Sequence, residues 1–377
     1  MTTQGRKANV AQAIDVHTHF VPRTVPPAAG RNPLWPSIEH GENDTARVMV
    51  GGKLFRAIDS RSWDGARRRD DMARDGVTLQ VVSPMPELLS HWFPADDADA
   101  LATHVNEQIA ALCAAHPSSF AGLGMVPLQD VALAARRLAD VKAMGLRGVE
   151  VGTHINGRAL GDATLDEFYA AAEEQGLAVM IHALHPAAME RIGGRPEMAA
   201  VAAFPLETAY AATSLLTHGV TERFPNLRIM LSHGGGALPW ILPRMTHARG
   251  LGGPMATLFA RDPAAMARGL FYDTVVYDAE ALRFLAERVG TAQLMIGSDY
   301  PFTIMQPRPV AFATEALGGG CGGTGKEYGA VVGMGGVIMC NTTSPAGPHF
   351  AARGKERVDR RVEPCDDGCG WGDSVSP

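Results

Sequence analysis

Eight short runs of apolar and β-branched residues recur between positions 13 and 301: AIDVHTHF (13–20), VTLQVVSP (77–84), FAGLGMVPL (120–128), LRGVEVGTH (146–154), LAVMIHALH (177–185), LRIMLSHGG (227–235), GLFYDTVVYD (269–278) and AQLMIGSDYP (292–301). Patterns of helical period separate them, as in ALATHVNEQIAALCAAH, VALAARRLADVKAM and TLDEFYAAAEEQG. Near-continuous apolar strands that alternate with helices are the mark of βα units, because a parallel sheet is covered on both faces. Eight such units predict an α/β fold of the closed (β/α)8 or TIM-barrel type, over residues 1–310. With 377 residues, 46% of them hydrophobic, the chain can bury a core of that size.

Local signals refine this outline. Thr164 with Glu167 three positions on predicts an N-terminal helix cap. Residues 21–64 are rich in Pro, Gly and Asn, and RVMVGGKLFRAI reads as a hairpin turning at its central glycine pair, so this segment is expected as an insertion over the barrel mouth. Beyond residue 310 the texture becomes glycine-dense, with Cys321, Cys340, Cys365 and Cys369, and residues 311–377 are expected to be an atypical low-complexity tail, conceivable as the product of a shifted reading frame. The cysteines do not form a disulfide framework or a zinc-ribbon spacing. A net charge of −6 disfavours nucleic acid and anionic lipid as partners and leaves a small molecule as the better expectation. No apolar run is expected to approach a membrane span of about 18 residues, and the first residues lack a secretory apolar region, so a cytoplasmic protein is expected.

Polar residues at strand ends carry the chemical signal. His17 and His19 lie two apart in the first run, so strand alternation points both rings the same way. His182, His233 and Asp299 close the fifth, sixth and eighth runs, where barrel active sites are built. Polar groups ending apolar strands are costly to bury unless an ion or one another satisfies them. Three imidazoles and a carboxylate, from His17, His19, His182 and Asp299, suit zinc, with iron, manganese or cobalt as alternatives. His233 reads as a base or hydrogen-bond partner of water at the ion, with a role as fifth ligand or as ligand of a second metal as the alternative, and Gly234 to Gly236 would let backbone approach the centre.

The segments DVHTHF, VMIHALHP, LSHGGGALPWILPR and IGSDYPF resemble the amidohydrolase superfamily. Together with GGKLFRAIDSRSWD, MARDGVTLQVVSP, MVPLQD and GTHINGRALGDATLDEF they are most similar to its decarboxylase branch, typified by α-amino-β-carboxymuconate-ε-semialdehyde decarboxylases, from Ile14 to Phe302. The resemblance implies zinc held by His17, His19, His182 and Asp299, and a catalytic His233 acting with Asp299. It also implies substrate carboxylate bound by Arg56 and by Arg244, the latter from the neighbouring subunit of a homodimer. A guanidinium fork matches a carboxylate in two hydrogen bonds and stays charged. Where the branch has His-Pro after the fifth strand, this chain has His182-Ala183-Leu184-His185-Pro186; alternation favours His182 as ligand and leaves His185 to contact substrate. Trp92 and Phe302, with Lys53 and Trp63, stand near these motifs as pocket candidates. The expected activity is metal-dependent, non-oxidative decarboxylation of a small unsaturated or aromatic acid, of aminocarboxymuconate semialdehyde or hydroxybenzoate type. Its rivals are a hydrolase or deaminase using the same ion and, from another class, a non-catalytic metal-binding barrel.

Overall fold

The computed structural model describes residues 13–187 and 189–318. Each of the eight runs supplies a strand, but paired residues occupy only part of most runs. In chain order the strands are β1 (Ile14–Phe20), β2 (Pro36–His40), β3 (Thr45–Val50), β4 (Lys53–Asp59), β5 (Leu79–Pro84), β6 (Phe120–Gly122), β7 (Gly148–Gly152), β8 (His154–Ile155), β9 (Arg158–Ala159), β10 (Ala178–His182), β11 (Ile229–Leu231), β12 (Phe271–Asp273) and β13 (Leu294–Met295). The single closed ladder expected from the sequence is instead two parallel sheets, β1-β5-β6 and β13-β12-β11-β10-β7. At their seams stand isolated parallel bridges, Thr18 with Tyr300 and Gly124 with Val149. Backbone bonds reinforce both seams: Val16 N–H to Ile296 O at 2.8 Å, His19 N–H to Tyr300 O at 2.7 Å and Gly124 N–H to Gly148 O at 2.9 Å. The last run pairs with β12 only at Leu294 and Met295, and its backbone turns at Asp299, whose φ is +66°.

Two apolar layers flank the strands. Ile14, Val16, Leu79, Val81, Ala121, Leu123, Met180, Met230 and Met295 form a small inner cluster with contributions from strand after strand. The larger layer lies between strands and helices. The helix Ala279–Val289 shows how sequence produces it: Leu282, Leu285, Ala286 and Val289 are buried at helical spacing, and Asp278 caps the start by accepting from Ala281 N–H at 2.8 Å. Each buried leucine stabilises this packing by about 1.5–3 kcal/mol.

The insertion is a three-stranded antiparallel sheet, β2-β3-β4, and Gly51 and Gly52 make its two-residue turn with φ of +57° and +73°. In β4 the register slips at Phe55, so Val48 faces Arg56 while Met49 faces Leu54. Such a bulge re-aims the side chain beside it.

Three expectations are corrected. Thr164 does not cap Asp166–Gln175, whose N-cap is Leu165 without a side-chain bond; Asp162 caps the short 3₁₀ turn ahead of it, its carboxylate accepting from both the backbone N–H (2.8 Å) and the hydroxyl (2.7 Å) of Thr164. The ordered fold passes the expected boundary at 310: Pro309–Gly318 is a helix with Ala313, Ala316 and Leu317 buried, and Ala316 O accepts from Arg283 at 3.2 Å. Ala199–Thr217, 19 residues with a mean hydropathy of 1.2, is long and apolar enough to cross a membrane. Its residues Ala209, Ala211, Ala212, Leu215 and Leu216 pack in the core, and Glu207 accepts from Ala187 N–H at 2.7 Å. The glycine- and cysteine-rich segment beyond residue 318 lies outside the described residues.

Gly234 to Gly236 also serve a different purpose from the one expected. Their close neighbours are packed protein rather than the centre: Val276 and Leu285 at Gly234, Tyr272 at Gly235, and the Pro205 carbonyl at Gly236, where an added Cβ would stand 1.7 Å from the oxygen with φ at +60°. Gly236→Ala is therefore predicted to destabilise the fold by more than about 3 kcal/mol, since backbone on both sides must shift. Gly145→Ala, at φ +82° but in open space, should cost only about 1 kcal/mol. Urea unfolding midpoints of the two variants check this, and equal shifts would contradict it.

Candidate metal centre

A bulge in β1 prepares the site. Asp15 pairs with Gln80 and Thr18 with Val82, so β1 carries one residue more than β5 between these pairs. Strict alternation breaks there: Val16 stays in the inner apolar cluster, while His17 and His19 both turn toward the strand ends. Asp299 reaches the same point because its N–H donates to His17 O at 2.9 Å, and β10 brings His182.

One candidate ligand atom from each of His17, His19, His182 and Asp299 lies within 4.8 Å of every other, and all four residues are buried. His17 Nε2 is 3.0 Å from His19 Nε2, and Asp299 Oδ1 is 3.0 Å from His19 Nε2 and 3.5 Å from His17 Nε2. The outer nitrogens have partners of their own. His17 Nδ1 donates to Asp273 Oδ2 at 2.6 Å, His19 Nδ1 to Pro84 O at 3.1 Å and His182 Nδ1 to Ala183 O at 2.8 Å. With Nδ1 as the donor, each ring in its neutral form offers the lone pair of Nε2, and three such lone pairs beside a carboxylate repel one another unless a proton or a metal cation draws them together. His182 Nε2 is buried without a hydrogen-bond partner. That orphaned nitrogen and the N/O donor set fit a divalent metal ion.

The electrostatics agree. Burial alone would lower His17, but the Asp273 hydrogen bond and charge, with the charges of Asp299 and Glu150, outweigh it and lift the pKa to about 9, so the point attracts positive charge. Burial, reinforced by the charges of His19 and His17, holds His182 well below its ordinary value. Burial would raise Asp299, yet the His19 hydrogen bond and the neighbouring histidines keep it below the usual carboxylate range.

His233 stands beside this group, with its ring 5.0 Å from that of His182 and 5.4 Å from that of His17. Its φ is +55°, and its Nδ1 lies 3.2 Å from Ser232 Oγ. Burial, then the charge of His17, lowers its pKa to about 4, leaving it neutral. His185 is not drawn in: it is exposed at φ +47°, its ring rests 4.3 Å from Trp92, and its carbonyl meets His154 Nε2 at 3.0 Å. Phe302 stacks on His19 at 4.6 Å, and the Arg56 guanidinium lies over the other partner of that stack, 4.4 Å from the Phe302 ring. Arg244 is exposed on the helix Leu238–Gly250 and forms no ion pair among the described residues. Lys53 is exposed at the hairpin and Trp63 packs edge-on to His40 at 5.4 Å, so neither is brought to the centre.

Two buried acids were missed by reasoning from sequence. Asp273 accepts from His17 Nδ1 and from the backbone N–H groups of His233 (2.9 Å), Gly234 (2.8 Å) and Val275 (3.0 Å). Burial pushes its pKa up, but the His17 hydrogen bond and charge outweigh this and keep it ionised. Glu150 is fully buried in β7 with Oε2 4.0 Å from His19 Nδ1, and burial raises it to about 8. A strand-end acid in GLFYDTVVYD was the available sign for Asp273, and a lone acid inside GVEVG for Glu150.

Asp273→Asn keeps the size of the side chain and removes its charge. It is predicted to weaken divalent-metal affinity by roughly 10- to 100-fold, the usual effect of losing such an outer partner. Metal titration of the stripped protein measures this, and an unchanged affinity would contradict the account of His17.

The amidohydrolase family pattern matches residues 14–317. A 2-amino-3-carboxymuconate-6-semialdehyde decarboxylase of Dictyostelium discoideum is 32% identical over 297 residues, covering 77% of this chain and 82% of its own. A 6-methylsalicylic acid decarboxylase of Penicillium expansum is 30% identical over 304 residues, covering 76% and 84%. Among solved structures, the 5-carboxyvanillate decarboxylase of Sphingomonas paucimobilis superposes with a TM-score of 0.64 at 29% identity, covering 74% of this chain and 83% of its own. By the extent of the family match and of these likenesses, the chain belongs to the amidohydrolase family.

Proposed function

We propose that this protein is a metal-dependent, non-oxidative decarboxylase of a small unsaturated or aromatic carboxylic acid, built on a (β/α)8 ring closed through the Thr18–Tyr300 and Gly124–Val149 bridges. The observation that carries the reading is the juxtaposition of a His₃Asp centre with a guanidinium: Arg56 stacks on Phe302, which stacks on His19. A carboxylate held by Arg56 would lie against the centre, and similarity to decarboxylases of aminocarboxymuconate semialdehyde and 6-methylsalicylate supports that chemistry.

His17, His19, His182 and Asp299 would hold the ion, with zinc as the best match to three imidazoles and one carboxylate. A divalent ion there supplies Lewis acidity to oxygen groups of the substrate. In the reaction the carbon–carbon bond to the carboxylate breaks, CO2 leaves without the bonding pair, and the carbon left behind gains a proton. His233, neutral at rest with its Nδ1 facing Ser232 Oγ, is placed to take up a proton from water as the imidazolium and pass it from Nε2 to that carbon, returning to the neutral ring. Arg56 orients the carboxylate, and Phe302, stacked between Arg56 and His19, limits water on that side.

Arg244 would complete the site from a second copy of the chain. Its helix and the one it packs against, Phe204–Thr217, expose Trp240 (77%) and Tyr210 (62%), and Leu251, Met255 and Leu258 follow nearby in sequence. Exposed apolar groups in such number suit an interface. Trp240→Glu is predicted to shift the protein from dimer to monomer in sedimentation; a wild-type monomer would contradict the dimer.

The activity is tested by incubating metal-loaded protein with hydroxybenzoates and muconate-type acids. CO2 release is expected, whereas ammonia or ring opening without CO2 would favour a hydrolase. His233→Ala should retain metal and lose roughly 10²- to 10⁴-fold in rate. Asp299→Ala should lose both metal and turnover, and full metal retention would contradict its place among the ligands.

A further inference from the structure

Arg56 has an acidic neighbour with which it does not pair. Glu87 sits on the 3₁₀ turn Pro86–Leu88 directly after β5, at the strand end that also carries His17 and His19. The charges of Arg56 and Asp299 both reach the Glu87 carboxyl, and that of Glu87 reaches Glu150. His19 links Arg56 and Glu87, its Nδ1 donating to Pro84 O three residues before Glu87 and its ring stacking on the Phe302 that lies under Arg56. A guanidinium and a carboxyl near enough to feel one another's charge ordinarily close into a bidentate pair. These two form no ion pair, and Arg56 Nε and Glu87 Oε2 are each enclosed without a hydrogen-bond partner. Stacking on Phe302 holds the guanidinium plane where it is. Leaving a buried donor and a buried acceptor unmet is costly for both. A ligand that accepts from Arg56 and donates to Glu87 at once removes both penalties.

We propose that Glu87 is a specificity-determining residue that accepts a hydrogen bond from a hydroxyl or amino group located beside the carboxylate held by Arg56. The inference rests on the decarboxylase reading above, because it takes Arg56 as the carboxylate's partner. It gives Glu87 the task of reading a hydrogen-bond donor on the atom next to the one that carries the carboxylate. The same acid without that donor leaves Glu87 buried and unmatched, so the site selects against it. Glu87 acts on recognition, whereas the proton that replaces CO2 belongs to His233.

Binding of four simple acids to the zinc-loaded full chain tests this: benzoate, 2-hydroxybenzoate, 2-aminobenzoate and 3-hydroxybenzoate, measured by calorimetry. Wild type is expected to bind the two 2-substituted acids about 10- to 100-fold more tightly than benzoate, the range for a hydrogen bond to an ionisable group, and 3-hydroxybenzoate no better than benzoate. In Glu87→Leu the preference should fall to within about threefold, with benzoate affinity little changed, while Glu87→Gln, which keeps an acceptor oxygen, should retain most of it. Zinc content and melting temperature verify that the variants fold, and Glu87→Ala replaces Glu87→Leu if the latter fails. A preference that survives in the leucine or alanine variant belongs to the ion and overturns the proposal. So does a wild type that does not distinguish the acids. If the acids bind and Arg56→Ala weakens them, the carboxylate reading stands even where the Glu87 assignment falls; if none binds the wild type, both fall.

Discussion

The short bond between His17 Nδ1 and Asp273, 2.6 Å long and wholly buried, is the interaction on which the rest of the site depends. One carboxylate at the end of β12 fixes the ring of a histidine on β1 and, through two backbone N–H groups, the turn that begins with His233. A buried carboxylate is costly alone and becomes favourable only when fully bonded, which Asp273 is, with four donors. Its position ties together segments 256 residues apart in sequence. The tautomer of His17 and the position of the turn at His233 then depend on a single group, which also adds to the negative potential that Asp299 and Glu150 supply.

Around that bond the molecule separates its work by layer. The inner apolar cluster of Val16, Leu79, Val81, Met180, Met230 and Met295 forms a dry floor. Above it the polar residues of the centre gather where backbone departs from regular pairing: a bulge in β1, positive φ at His233 and Asp299, and an insertion strand with its own bulge beside Arg56. Irregular backbone at these places costs stability. It is tolerated because the packed layer beneath holds the strands, and because Gly236 accommodates the Pro205 carbonyl where a side chain would not fit.

The sequence reveals the centre more readily than its supports. His17 and His19 share a strand face, and His182 and Asp299 end apolar runs, so their convergence follows once a parallel α/β arrangement is inferred. Asp273 is harder to find, because GLFYDTVVYD reads as one strand to residue 278 and its regular pairing stops at 273. Its meaning depends on a histidine in another strand, which no local pattern encodes. Glu87 and Glu150 are hidden for the same reason: an acid in an apolar stretch shows that something must compensate it, without showing what. The cap on the fourth βα helix was misread because Asp162 and Thr164 both suit a helix start, and the carboxylate two residues earlier captures the N–H of Thr164 first. The role given to Arg56 came from resemblance, and the stack on Phe302 and His19 now supplies its physical setting.

The most direct test of the central claim is X-ray absorption at the metal edge of protein reloaded with zinc, compared with the His182→Ala variant. Three imidazole nitrogens at about 2.0–2.1 Å and one carboxylate oxygen are predicted for wild type, and two imidazoles for the variant. A wild-type spectrum with fewer than three imidazoles, or one that the His182 substitution leaves unchanged, would contradict the His17, His19, His182 and Asp299 centre.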